Sequence, residues 1–484
     1  MQKRLMKHLF LTLATIVTLG TNLTARQQQP YPLPLEEAMH ILLTNNNAIK
    51  ISRNTTEIAR AQKQQLNAAW YPTIAATGGY FHFSNDISAQ ANMGELAQDA
   101  LANLEGALPG LEQLLQQLLP QLNQSLAALG NITLSVPLVK QNVTTLDATA
   151  LWPLFTGGKR IFAGKIGKEL HTTALHLETL VTNAQMAAML NAYYTLKLSN
   201  DVLTMQTDNM QYITRLLSDA RRLKEEGFIN KGEFLVVQVA YDEATRELEN
   251  ARHNKKVASS ALSAILGIGQ ETTPCGNWFT LDSLPDIYSI QQEILCNNAQ
   301  LKILHSQDNI LHNRENIARS NYLPDIALFA RGNIYSHNVP KNLLPRSTVG
   351  AAMQWTLFDG LAREKEIKKT RLEQEQVDYT ISQTESDLTT AATALHSALE
   401  DAACNIQTLE RTMDLARELL RERERGFAEG FCTSTEVIEA RTALTKANTA
   451  LNLAHWQYCT TLANLLALGS NTEKFIELHN EYRQ

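Results

Sequence analysis

Apolar positions recur along this chain with two different periods, and the switches between them mark out its elements. After Val237, residues Tyr241, Ala244, Leu248 and Ala251 follow at spacings of 4 and 3, and after Ala440 so do Leu444, Ala447, Leu451, Ala454 and Tyr458. This is a helical stripe, and alanine alternating with larger side chains lets neighbouring helices approach as a coiled-coil seam requires. Around Trp152 the period drops to two: Leu146, Ala148, Ala150, Trp152 and Leu154 alternate with Thr145, Asp147, Thr149 and Leu151. Val349, Ala351, Met353, Trp355 and Leu357 alternate with Gly350, Ala352, Gln354 and Thr356 in the same way. Strands with one apolar and one small or polar face fit either a barrel wall between lipid and water or a half-buried strand of a soluble sheet.

The two strands belong to an internal duplication. Trp152, Leu154, Phe155, Gly157 and Arg160 recur 203 residues later as Trp355, Leu357, Phe358, Gly360 and Arg363. The same shift carries Glu226-Gly227-Phe228 onto Glu429-Gly430-Phe431 and Glu233 onto Glu436. The front of each half matches at a shift of 252, with Asn45, Asn46, Lys50, Pro72, Ile74 and Ala75 recurring as Asn297, Asn298, Lys302, Pro324, Ile326 and Ala327. The difference between the shifts is a 49-residue insertion in the first half, between Pro72 and Trp152.

Each half reads helix, strand, loop, strand, long helix, break, helix. First helices are expected over 35–70 and 287–322, stopped at Pro72 and Pro324 because the residue before proline disfavours the helical region. After Arg160 and Arg363 come about 65 residues without proline, on the order of 100 Å of helix at 1.5 Å rise per residue. The boundaries read 1–25 signal peptide, 26–270 first repeat, 271–286 linker, 287–470 second repeat and 471–484 tail.

The chain is 484 residues long, 19% charged and only 6% aromatic, with 22 Gly and 13 Pro, a composition that suits long helices with few turns. Net charge is a mild -6 with no basic patch, which excludes a nucleic-acid partner. At the N-terminus Lys3, Arg4 and Lys7 precede an apolar run from Leu9 to Leu19, and Leu23-Thr24-Ala25 offers a cleavage site. This is a secretory signal, placing the mature chain outside the cytoplasm. No later stretch approaches the roughly 20 apolar residues of a membrane helix, so a membrane-embedded mature chain must be a β-barrel.

The two breaks carry the candidate chemistry. Gly227 and Gly430 read as helix C-caps, and Thr433-x-x-Glu436 reads as a capping box opening the next helix. Glu436 and Glu439 lie three apart, on one face of its first turn, where the helix dipole favours carboxylates. They either cap that helix only, or also form acidic rings if several copies converge there.

The duplicated plan, Leu35-Glu36-Glu37-Ala38 followed by Asn45-Asn46-Asn47, the Tyr71-Pro72 and Leu323-Pro324 helix ends, the Leu-Phe-x-Gly corners and the Gly-Phe breaks resemble the TolC-like outer membrane efflux family. The resemblance spans nearly the whole mature chain except the insertion. It implies a mainly α fold with β: a homotrimeric 12-stranded outer-membrane β-barrel, four strands per chain, continued by a periplasmic α-helical barrel. It implies a passive conduit of a tripartite efflux or type I secretion system, in the outer membrane and reaching into the periplasm. Partners are then outer-membrane lipid, a periplasmic adaptor and an inner-membrane transporter of RND, ABC or MFS type. Gly227, Phe228, Gly430 and Phe431 become tips that meet the adaptor, Glu436 and Glu439 the constriction, and Glu233 part of the gating network. Trp152 and Trp355 become membrane-interface residues. Where the resemblance expects an aromatic hydroxyl and an arginine around the second break, this sequence has Phe427 and Cys432.

Between Ser84 and Val143 the insertion includes leucines at spacings of 3 and 4 from Leu101 to Leu129, broken at Pro109 and Pro120; it reads as short amphipathic helices capping the barrel mouth or as a plain surface loop. The five cysteines show no CxxC spacing and the 12 His no ligand spacing, so no disulfide framework, metal or cofactor is expected. Gly157-Gly158-Lys159-Arg160 lacks P-loop spacing, and GxSxG and HExxH are missing, so the chain is not expected to be an enzyme. Arg421-Glu422-Arg423-Glu424-Arg425 reads as a solvated helix face. The competing reading is a periplasmic coiled-coil scaffold or adaptor without a membrane barrel.

Overall fold

The computed structural model describes residues 31–92, 133–338 and 345–482. The segment expected to be a signal peptide, 1–25, and the leucine-rich part of the insertion lie outside the described residues. In chain order the elements are β1 (Tyr31–Leu33), α1 (Leu35–Asn45), α2 (Asn47–Asn67), β2 (Thr73–His82), β3 (Ile87–Asn92), β4 (Thr133–Val139), β5 (Asn142–Thr156), α3 (Lys159–Glu225) and α4 (Lys231–Leu266). Then follow β6 (Thr272–Pro274), α5 (Ile287–Asn297), α6 (Ala299–Ser320), β7 (Asp325–His337), β8 (Ser347–Gln354), α7 (Ala362–Ala428), α8 (Ser434–Leu468) and α9 (Lys474–Glu481). The fold is mainly helical with some sheet.

The first helix of each half is not continuous. It breaks at Asn46 and Asn298, whose side chains do equivalent work in the two repeats. Asn46 Oδ1 accepts from the N–H groups of Ala48 and Ile49 at 2.9 and 3.2 Å, while its Nδ2 donates to the Ile265 carbonyl at 2.9 Å. Asn298 Oδ1 accepts from the Leu301 N–H at 3.0 Å and its Nδ2 donates to the Leu468 carbonyl at 2.9 Å. One amide thus caps a helix start and ties it to the end of the returning helix. Ile265 and Leu468 are themselves 203 residues apart, so even this bond is duplicated.

The chain divides into two compact units. One takes 31–63, 166–312 and 371–482 of the described residues. Its core buries Tyr193, Tyr194, Tyr458 and Phe475 completely, with Trp278 stacked on Tyr194 at 5.7 Å between ring centroids. The expected stripes lie inward: Val237, Ala244, Leu248 and Ala251 on α4, and Ala440, Ala447, Leu451, Ala454 and Tyr458 on α8, are all buried. The long helices α3 and α7 have 67 residues each. Beside the helices, β1 pairs in parallel with β6, three residues each and too short to show a period in the sequence.

The other unit, Gln64–Lys165 and Asn313–Thr370, holds a four-stranded antiparallel sheet in the order β2-β5-β7-β8. Central β5 and β7 come one from each repeat. A separate antiparallel pair, β3 with β4, lies within the insertion, one strand on each side of its leucine-rich part in sequence. Two details differ from the sequence reading. β8 ends at Gln354, opposite the first residue of β7, so Trp355 and Leu357 lie just beyond the strand. On β5, Pro153 pairs with Ala327 and Phe155 with Ile326, leaving Leu154 as a bulge that breaks the alternation. Proline has no N–H for the ladder and is found where the pairing is interrupted.

Candidate channel wall and helical tips

Opposed residues of an antiparallel pair share a face, so the register sorts the sheet's side chains. One face carries Ile74, Tyr80, Leu146, Ala148, Ala150, Trp152, Ile326, Leu328, Ala330, Val349, Ala351 and Met353, with the uncharged or weakly basic His82, Asn142, Thr144 and Ser347 toward the loop ends of its strands. No Asp, Glu, Lys or Arg stands on it among the described residues. The other face carries Thr73, Thr77, Thr145, Asp147, Thr149, Arg331, Asn333 and Thr348, with Phe81, Val143, Leu151 and Phe329 among them. Ile74 at 78% and Val349 at 79% relative exposure have nothing among the described residues to cover them. So large an uncharged apolar face needs an apolar surround. Edge strands β2 and β8 each pair on one side only.

A duplicated arginine lock holds the strand ends to the helices. Arg160 donates to the Leu154 carbonyl at 2.7 Å and lies over the Trp70 ring at 4.4 Å. Arg363 donates to the carbonyls of Asn321, Thr356 and Leu357, each at 3.1 Å, and lies over the Tyr322 ring at 4.6 Å. The two tryptophans repeat the pattern: Trp152 Nε1 donates to the Trp70 carbonyl at 3.1 Å and Trp355 Nε1 to the Tyr322 carbonyl at 3.0 Å. Both indoles are about half exposed, at 45% and 53%. The corner after each lock needs positive φ, met by Gly157 at 59° and Gly360 at 71°.

Both helical breaks close identically. Gly227 and Gly430 take φ of 82° and 81°. The Phe228 N–H reaches the Leu223 carbonyl at 2.8 Å and the Gly227 N–H the Lys224 carbonyl at 3.2 Å; Phe431 to Gly426 at 2.7 Å and Gly430 to Phe427 at 3.1 Å repeat the pattern. This is the paired bonding of a glycine-ended helix. It leaves Phe228 and Phe431 pointing outward, 75% and 84% exposed.

The next helix starts differently in the two halves. Asn230 Oδ1 accepts from the Glu233 N–H at 2.9 Å, which leaves the Glu233 carboxylate out of the cap. At the second break the capping box is complete: Thr433 Oγ1 accepts from the Glu436 N–H at 3.3 Å, and Glu436 Oε2 accepts from the Thr433 N–H at 2.8 Å. That backbone bond holds the Glu436 carboxyl below its ordinary range, with Arg423 adding to the effect at 3.2 Å from Oε1. Glu439 stays exposed, its charge acting on the same Arg423.

Arg423 was hidden in the charged run 421–425, and not all of that run is a solvated face. Arg421 and Arg425 pair with Glu418 and Glu422 in solvent, at 3.1 and 3.5 Å. Arg423 instead reaches Glu436 and, at 3.7 Å, Cys432 Sγ, so an arginine does attend the second break, supplied from α7. Glu424 faces Tyr212 of α3, whose hydroxyl is pushed up by burial first and by Glu424 next. Arg441 of α8 stacks over Tyr212 at 4.7 Å and donates to Asn209 Oδ1 at 3.1 Å, its own pKa lowered by burial. This α3–α7–α8 cluster has no counterpart at the matching positions of the other repeat, Arg221, Gln238, Leu415 and Thr412, and so left no trace in the duplication.

A sheet with one uncharged apolar face, in a chain that also has two duplicated 67-residue helices, fits an outer-membrane channel. No helix among the described residues is long and apolar enough to cross a membrane. The family described as outer membrane efflux protein matches residues 38–268 and 290–470, and the chain belongs to it. It is accordingly an outer-membrane efflux channel, of a family of conduits and not of enzymes. Among solved structures, the outer membrane protein VceC of Vibrio cholerae aligns at a TM-score of 0.68 with 14% identity, over 90% of this chain and 96% of that one. The CmeC outer membrane channel of Campylobacter jejuni gives 0.65 and 13%, over 93% and 90%. The open-state MtrE outer membrane channel of Neisseria gonorrhoeae gives 0.68 and 13%, over 90% and 89%. No curated protein sequence matches the chain.

Proposed function

We propose that three copies of this chain pool their four-stranded sheets into one 12-stranded barrel, and their long helices into an α-helical barrel in the periplasm. The observation that carries this reading is the uncharged apolar face on a sheet whose two edge strands, β2 and β8, each pair on one side only among the described residues. A membrane tolerates no open sheet edge, because each unpaired N–H and C=O facing lipid costs several kcal/mol. Joining β8 of one copy to β2 of the next removes both edges, and strands of 8 to 15 residues are long enough to cross while tilted. The repeats at 26–270 and 287–470 then contribute one strand pair each to every third of the wall.

In this assembly Gly227, Phe228, Gly430 and Phe431 form the adaptor-contact tips, and the outward phenylalanines supply the apolar anchors that such contacts favour. Glu436 and Glu439, with Glu233 nearby in the gating network, form the constriction, three copies of each setting an acidic ring. Capping and pore lining are compatible in Glu436, since its Oε2 serves the cap while its charge remains. Trp152 and Trp355 sit at the membrane interface, where amphipathic rings are favoured. Export energy comes from an inner-membrane pump of RND, ABC or MFS type linked through the adaptor.

Planar-bilayer recordings test the constriction. The parent is expected to give a small cation-selective conductance, and Glu436→Gln with Glu439→Gln to weaken that preference. An unchanged preference returns both acids to the capping role.

A further inference from the structure

The polar face of the sheet carries one charged network away from the strand ends. Asp147 on β5 is only 7% exposed, and both its oxygens are used: Arg331 Nη2 donates to Oδ2 at 2.7 Å and Asn333 Nδ2 to Oδ1 at 3.1 Å. The Arg331 side chain is 51% exposed on the same face, and only its Nη2 serves the aspartate. Its other N–H donors make no hydrogen bond among the described residues. The ring of Phe329 lies flat over Gly350, where an added Cβ would come within 2.8 Å of it, and Phe81 covers Gly79 in the same manner.

We infer that Arg331 is an anion-contact residue of the channel lumen, held upright by Asp147 and Asn333, and that it takes carboxylate, sulfonate or phosphate groups of passing solutes. The inference rests on the barrel reading, which turns this face inward. A planar guanidinium with free donors suits oxyanions, and a buried carboxylate at its base fixes its direction. A strand staple alone would not need an arginine left half in solvent; Thr149 and Thr348 on the same face show that neutral side chains serve there. The carboxylate also compensates the charge, so the parent belt is nearly neutral while it keeps directional donors.

The test is the reversal potential across a KCl gradient in planar bilayers, in the Glu436→Gln, Glu439→Gln background that silences the tip acids. Asp147→Asn is expected to shift it toward anion preference, Arg331→Gln toward cation preference, and the pair together to return it near the background value. All these shifts should shrink as salt rises. A structural role would alter stability and leave the potential where it was. Trimers that conduct with the same reversal potential in all three variants overturn the inference and leave the barrel intact. A background protein that forms no trimer and no channel removes the barrel reading itself, and the inference with it. Should Asp147→Asn not assemble, the sign of the Arg331→Gln shift decides alone.

Discussion

Arginine in place of Val349 is expected to cost about 2–4 kcal/mol of assembled stability, the penalty for a cation on the lipid face near mid-membrane. Val349 pairs with Ala330, and Ala330 with Ala150, so all three stand level on the uncharged face and near the middle of β5 and β7. Its neighbour Thr348 points the opposite way, across from Arg331. Thr348→Arg should therefore cost at most about 1 kcal/mol, the repulsion of one exposed guanidinium facing another across the strands. The measurement is the fraction of heat-modifiable trimer recovered from outer membranes, followed by chemical denaturation in detergent. Equal losses from the two adjacent substitutions would mean that both faces meet the same surroundings.

Arg363→Ala is expected to destabilise the chain by about 3 kcal/mol, the lower end of the range for breaking a buried charge pair, since the Asp359 carboxylate it leaves behind is partly exposed. Arg363 is 8% exposed, donates to three carbonyls and pairs with Asp359 at 2.9 Å. Arg160, its counterpart, has one short bond and a second at 3.5 Å, so Arg160→Ala should cost only about 1–2 kcal/mol. Lysine at 363 should not restore the loss, because a single ammonium cannot span three carbonyls set around a planar fork. Denaturation midpoints of the three variants check this. A larger loss at Arg160 than at Arg363 would refute the asymmetry read from their contacts.

Much of this architecture was legible because the chain states it twice. Gly227 and Gly430, Gly157 and Gly360, and Trp152 and Trp355 announced themselves by recurring at one shift, and the structure gives each pair the same geometry. The capping box at Thr433 and Glu436 was readable for a different reason, since it is local and needs only four residues. What escaped depends on contacts distant in sequence. Asn46 and Asn298 were seen to repeat, yet that they split a helix follows from carbonyls at Ile265 and Leu468 that no local pattern reveals. Arg423 looked like one of several solvent-facing arginines, because a five-residue charged run cannot show which residue turns inward. The Leu154 bulge was masked by a period-2 pattern that Pro153 interrupts in space but not in the order of apolar letters. The Asp147–Arg331 network joins strands of different repeats and so could not be found by comparing them.

Spin labels placed one at a time along β2 and β8 test the wall most directly. At Ile74, Ala76, Val349 and Met353 the labels should collide freely with oxygen and little with a water-soluble nickel chelate. At Ala75, Thr77, Thr348 and Ala352 the preference should reverse, residue by residue, in protein reconstituted into bilayers. Equal access of the nickel chelate to both sets would contradict a wall with lipid on one side and water on the other.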